Sequence, residues 1–238
     1  MKLADILTSL FPAGHAVTVE GGRIHGQGPL KDGSAIQVLG VADNTPLGVD
    51  DAIWLAGQVL ADPADRRPIL LLIDSSSQRM ARRDELLGIS EYLAHLAKAL
   101  LLAEAEGRRT VGLLYGHSAA GAFIATALAA GTLVALPGAH PEVMDLPSIS
   151  RVTKLPLDTL QEMAKTTAVF APGLDNLAQT GAVLATWDPA QSLGAQLAAL
   201  LAEPASGDVR DALGKARGGR PMAADLAQRV HKLAQADG

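Results

Sequence analysis

The chain has 238 residues, 20 Lys/Arg against 25 Asp/Glu, a formal charge of −5 and no cysteine. The missing cysteine excludes disulfides, thiolate metal sites and a cysteine nucleophile, and the acidic balance argues against a nucleic-acid binder. Hydrophobic residues make up 48% and aromatics only 3%, so the core is expected to be aliphatic and alanine-rich, sized for one large α/β domain or a domain with an extension. Alanine lets helices approach closely, and alanine-rich faces are expected to pack against other subunits. The opening Met1-Lys2-Leu3-Ala4-Asp5 places an acid where a signal peptide needs apolar residues, so a cytoplasmic protein is expected.

In chain order, alternating residues at 15–19 and 23–25 around Gly21-Gly22 predict a β-hairpin. A strand follows over 36–42, then a helix over 50–60 with Ile53, Trp54 and Leu60 on one face. The apolar run 69–73, ending at Asp74, predicts a strand buried on both faces. A long helix is predicted over 84–106, with Leu86, Leu87, Tyr92, Leu93, Leu96 and Leu100 as its stripe. The stretch 111–139 lacks Asp, Glu, Lys and Arg and is long enough to span a membrane. Gly116-His117-Ser118 and Gly131-Thr132 divide it, so it reads instead as a buried strand (111–115), helix (119–130) and strand (132–136). Further helices are predicted over 156–166 and from Asp188, as N-cap, with Pro189 first and Gln191 closing the box. Strands alternating with helices make the fold α/β. From Asp208 onward the formal charge is +2, against −7 for the remainder. This suggests a main domain over 1–205 and a basic extension over 206–238, broken at Gly218-Gly219. The extension reads either as a solvated tail with a terminal helix or as a dock for an acidic partner or a phosphate-bearing cofactor.

The most informative residues are Tyr115-Gly116-His117-Ser118-Ala119-Ala120-Gly121-Ala122-Phe123. A buried strand passes through small residues into a helix, where free backbone N–H groups gather and negative charge is favoured. One chemistry this permits is a serine nucleophile elbow at Ser118, with partners from Asp175 or Asp188 and then His231; the fifth position is Ala120 where glycine is expected. Another uses the N–H groups of Gly121 and Ala122 to hold an oxyanion. Close packing of small residues, with no chemistry, also accounts for the turn. His117 is placed to orient substrate, donate a proton or cap; Arg82 and Arg83 to pair with a carboxylate or carrier phosphate, or to open a solvated helix; Asp74 to bind substrate at the sheet edge or cap a turn. The six histidines are scattered without ligand spacing, so no metal is expected.

The chain resembles the crotonase-like carboxyltransferases, and among them the gamma subunits of bacterial malonate decarboxylases. The resemblance runs over about 36–187 and is carried by Ile69-Leu70-Leu71-Leu72-Ile73-Asp74-Ser75-Ser76-Ser77-Gln78, Arg82-Arg83-Asp84-Glu85-Leu86-Leu87-Gly88-Ile89, the run from Gly116 to Phe123, Ala135-Leu136-Pro137-Gly138-Ala139-His140-Pro141-Glu142-Val143-Met144, and Arg151-Val152-Thr153-Lys154. It implies a crotonase-like (ClpP/crotonase) fold of ββα units. It also implies an oxyanion hole at Gly121 and Ala122, with Ala120 beside them where relatives carry glycine, and Ser75-Ser76-Ser77 where they often have Pro-Gly. The implied reaction is decarboxylation of a malonyl thioester on an acyl carrier protein, in company with a beta subunit. No cofactor is bound directly; the thioester rides on the carrier's CoA-like prosthetic group. A non-catalytic role, shaping the beta subunit's site, remains an alternative.

Overall fold

The computed structural model describes residues 1–168, 171–204 and 207–236. The strands are β1 (Ala16–Glu20), β2 (Arg23–Pro29), β3 (Ala35–Val41), β4 (Ile69–Ile73), β5 (Thr110–Leu114), β6 (His117–Ala119), β7 (Thr132–Ala135), β8 (His140–Glu142) and β9 (Ala185–Thr186). The main sheet has the order β1-β2-β3-β4-β5-β7-β9, while β6 and β8 form a separate two-stranded sheet. The hairpin β1–β2 and its pairing with β3 are antiparallel, and from β3 to β9 every neighbour is parallel.

The helices are α1 (Leu3–Leu10), α2 (Val49–Leu60), α3 (Arg82–Leu87), α4 (Ile89–Ala105), α5 (Ala120–Ala125), α6 (Leu146–Thr153), α7 (Leu157–Ala164), α8 (Leu174–Gln179), α9 (Leu193–Ala202), α10 (Arg210–Ala216) and α11 (Ala223–Ala236). Side chains alternate across a strand, so β4 splits between two cores. Leu71 and Ile73 join α2, α4 and α5 on one face, and Leu70 and Leu72 join α1 and α9 on the other. Burial on both faces explains the unbroken apolar strand. The charge-free stretch 111–139 is likewise core, folded into β5, β6, α5 and β7, and no helix among the described residues is long and apolar enough to cross a membrane.

Several expected elements differ. The long helix breaks at Gly88, which adopts φ 79° between α3 and α4, a conformation glycine reaches without steric cost. The break leaves Leu86 76% exposed rather than in the stripe, while Leu93, Leu96 and Leu100 remain buried. On α2 the buried face is Ala52, Leu55, Ala56 and Val59, with Ile53 and Leu60 exposed. The start of α2 is fixed by two buried acids: Asp51 accepts the N–H of Gly48 at 2.9 Å, and Asp84 accepts that of Val49 at 2.8 Å. Ser192 caps α9 through the N–H of Ala195, whereas Asp188 closes a turn through Ala190 and Gln191. The expected domain boundary at 205/206 lies outside the described residues. Beyond it, Arg210 donates to the carbonyl of Leu128 at 2.9 Å, and Arg217 to those of Ala178, Val183 and Leu184. The basic stretch is therefore tied to the body, although α11 itself buries only Ala224.

Candidate active site

The parallel strands β3, β4 and β5 end on the same edge, where loops of an α/β sheet bind ligands. Asp74 follows β4 and ties three loops together. Its backbone N–H donates to Val41 at 2.9 Å, while its carboxylate accepts the N–H of His117 at 3.1 Å and that of Asn44 at 3.3 Å. Gly116 is required beside it, because a Cβ there would lie 2.2 Å from Oδ1 of Asp74. Asp74 is thus engaged in shaping the edge. Arg83, expected as an anion ligand, is held by Asp50 at 2.8 and 3.1 Å on the opening turn of α2. That pair is exposed and contributes little stability, but it occupies the guanidinium. Arg82 is exposed and makes no ion pair among the described residues.

The turn after β5 is not a direct strand-to-helix elbow. It first forms β6, which pairs with β8 in the register His117↔His140, Ser118↔Pro141 and Ala119↔Glu142. Ser118 is fully buried, and its hydroxyl meets that of Ser75 at 3.2 Å. Its proposed partners lie elsewhere: Asp188 closes its own turn, Asp175 opens α8, and His231 contacts Gln235 on α11. No triad forms among the described residues, so a nucleophile elbow at Ser118 has neither access nor a base. The opposite side of β6 carries a cluster that sequence reading missed. The rings of His117 and His140 stack 5.7 Å apart, and Glu142 reaches Nε2 of His117 at 3.2 Å and of His140 at 3.5 Å. The alternation His140-Pro141-Glu142 was its sequence signal.

Helix α5 begins at Ala120, which has φ 51°. This left-handed conformation costs an L-residue roughly 1–2 kcal/mol, which explains why glycine is the natural occupant. Ala120→Gly is expected to raise stability by up to about 1 kcal/mol, after offsetting the greater freedom of the unfolded glycine chain; an unchanged or lower urea midpoint would contradict the strain. The next N–H, that of Gly121, donates at 2.9 Å to the amide oxygen of Gln78 in the loop after β4. Gln78 ends a run that carries the resemblance, but nothing in its spacing marks it for this contact; only the adjacency of β4 and β5 places its loop against the turn. The N–H of Ala122 has no acceptor among the described residues. Beyond α5 lies an apolar groove of about 1000 Å³, bordered by Phe123, Glu142, Met144, Ile149, Leu177 and Arg210.

With this geometry in place, a family model for the malonate decarboxylase gamma subunit matches residues 42–234. The chain belongs to that family. The match includes β4, the Ser75–Gln78 loop and the whole turn. A malonyl-S-ACP:biotin-protein carboxyltransferase from Malonomonas rubra is 31% identical over 170 residues, 66% of this chain and 58% of that protein, so the chain spans under two thirds of that relative's length. A chain of a Pseudomonas malonate decarboxylase hetero-tetramer in complex with coenzyme A superposes with TM-score 0.75 at 25% identity, over 98% of both chains. Transcarboxylase 12S superposes with TM-score 0.69 at 16% identity over 84% of this chain and 40% of that one, and shares the fold. The architecture is thus the fold of the crotonase-type carboxyltransferases.

Proposed function

We propose that this chain acts with a beta subunit to decarboxylate the malonyl thioester of an acyl carrier protein, leaving the acetyl thioester and CO2. The observation that carries the chemistry is the contact of Gly121: its N–H already holds a neutral carbonyl-type oxygen, that of Gln78, at 2.9 Å. Loss of CO2 from a malonyl thioester leaves the electron pair on the α-carbon and, by resonance, negative charge on the thioester oxygen; one proton taken up at the α-carbon as the enolate collapses then gives the acetyl thioester. Fixed backbone donors at that oxygen lower the barrier without reorganising, and a dry setting favours expelling neutral CO2 from a carboxylate. Gly121 and Ala122 are assigned as these donors, Ala120 as the residue that aims them, and His117 as a group flanking the turn. The relative seen as a hetero-tetramer supports the partner, as do the open apolar side chains Val143, Met144 and Val152 around α6, a helix with no buried residue.

Ser118→Ala tests the backbone mechanism. It strands the Ser75 hydroxyl and is expected to cost about 1 kcal/mol of stability, while the assembled enzyme keeps most of its decarboxylase activity and is not labelled by serine-directed phosphonates. Loss of activity by orders of magnitude, with labelling at Ser118 in the wild type, would return the site to a hydrolase.

A further inference from the structure

We propose that Gln78 is a positioning residue: its amide oxygen fills the oxyanion position of the free enzyme and gives way only to the enolate oxygen that develops in the transition state. The inference rests on the assignment of Gly121 above. The backbone of Gln78 is pinned on both sides. The N–H of Leu47 donates to the carbonyl of Ser77 at 2.9 Å, and that of Arg79 to the carbonyl of Leu47 at 2.8 Å. Its side chain, by contrast, is held among the described residues by a single hydrogen bond, from the N–H of Gly121 to Oε1. The Gln78 amide nitrogen has no acceptor among the described residues. A rotation of the side chain alone therefore clears the donor, at the loss of one neutral hydrogen bond.

The surroundings give that bond a purpose. A Cβ at Gly121 would lie 3.0 Å from Cδ1 of Leu93 and 3.2 Å from Oε1 of Gln78, so the donor sits between an apolar wall and the amide. Without the amide it would stand unpaired in a partly buried place, which proteins avoid. A ground-state thioester carbonyl is a neutral acceptor like the amide it would replace and gains nothing by the exchange. An enolate oxygen carries charge and makes a hydrogen bond roughly twice as strong. Gln78 thus withholds the donor from the bound substrate and yields it only to the charged oxygen, and the bond broken in doing so is subtracted from kcat/KM.

The test is kcat/KM for a malonyl thioester in the assembled enzyme with Gln78→Ala and Gln78→Glu, alongside thermal midpoints and complex formation. The alanine variant is expected to raise kcat/KM about two- to tenfold, the size of one neutral hydrogen bond. The glutamate variant is expected to lower it about tenfold or more, because a carboxylate holds the donor with a charge-assisted bond. A lower value in the alanine variant would make the Gln78 amide a donor to substrate and overturn the proposal; so would equal values in all three enzymes. Gly121→Pro in the same assay separates the two levels: if it is slow while both Gln78 variants match wild type, only the role of Gln78 fails, and if it runs at the wild-type rate, the oxyanion assignment itself fails.

Discussion

Gly121→Pro is expected to slow turnover of the assembled enzyme by about a hundredfold or more. The substitution removes the N–H outright, and one oxyanion donor is typically worth about 2.7–4 kcal/mol of barrier. Proline is tolerated in the first turn of a helix, and Gly121 is the second residue of α5. Its ring still crowds Leu93 and Gln78, where even a Cβ would sit at 3.0 and 3.2 Å. Gly121→Ala adds that crowding but keeps the donor, so the rate difference between the two variants isolates the hydrogen bond. Circular dichroism and complex formation confirm that each is folded and assembled. A folded, assembled proline variant working near the wild-type rate would place catalysis in the beta subunit.

The largest loss of stability is expected at the opposite end of the sheet, from Arg108→Met. Arg108 is 4% exposed. Its guanidinium donates to the carbonyls of Arg67 at 2.8 Å and Val59 at 2.9 Å, to the side chain of Gln37, and to Asp65 at 3.0 Å. It thereby joins the end of α2, the start of β3 and the loop before β4. Burial pushes the Arg108 guanidinium below its ordinary pKa. Removing one partner from such a buried network typically costs about 3–5 kcal/mol, because the groups left behind lose their compensation. Urea unfolding is expected to show that loss; a change under 1 kcal/mol would mean that the network is solvated. Asp65 keeps Arg67, whose side-chain hydrogen bond is the main cause of its lowered pKa. The Asp65 contribution is therefore present above the ordinary carboxylate value and fades as pH falls through the lower folded one.

How far the sequence reveals the structure depends on whether a feature is local. Strands β3, β4, β5 and β7 are legible because both faces are buried, which leaves unbroken runs such as Ile69–Ile73. The turn is legible as a place where small residues join a strand to a helix, and Ala120 as an unusual occupant of it; only the backbone shows that the position is left-handed. Strand β6 is hidden because its three residues form a strand only by pairing with β8, more than twenty residues later. Sequence separation likewise hides the stacked His117 and His140, and the Ser75–Ser118 pair, 43 positions apart. Arg83 looks available for substrate until Asp50, 33 positions earlier, captures it. At the start of α9 two caps compete, and Ser192 prevails over Asp188. On α2, spacing predicts the helix correctly but the wrong face: the small residues Ala52 and Ala56 pack inward while Ile53 and Leu60 turn outward, because close approach to α4 favours small side chains.

In the proposed reaction this chain and a beta subunit together decarboxylate a malonyl thioester, with the oxyanion held by this chain's turn. The most direct test is CO2 release from a malonyl thioester, measured for each subunit alone and for the purified pair. A stable hetero-oligomer that releases CO2 and leaves the acetyl thioester intact is expected, with neither subunit active alone. A beta subunit that decarboxylates at the full rate by itself, a fully active monomer of this chain, or a pair that hydrolyses the thioester without releasing CO2 would contradict it.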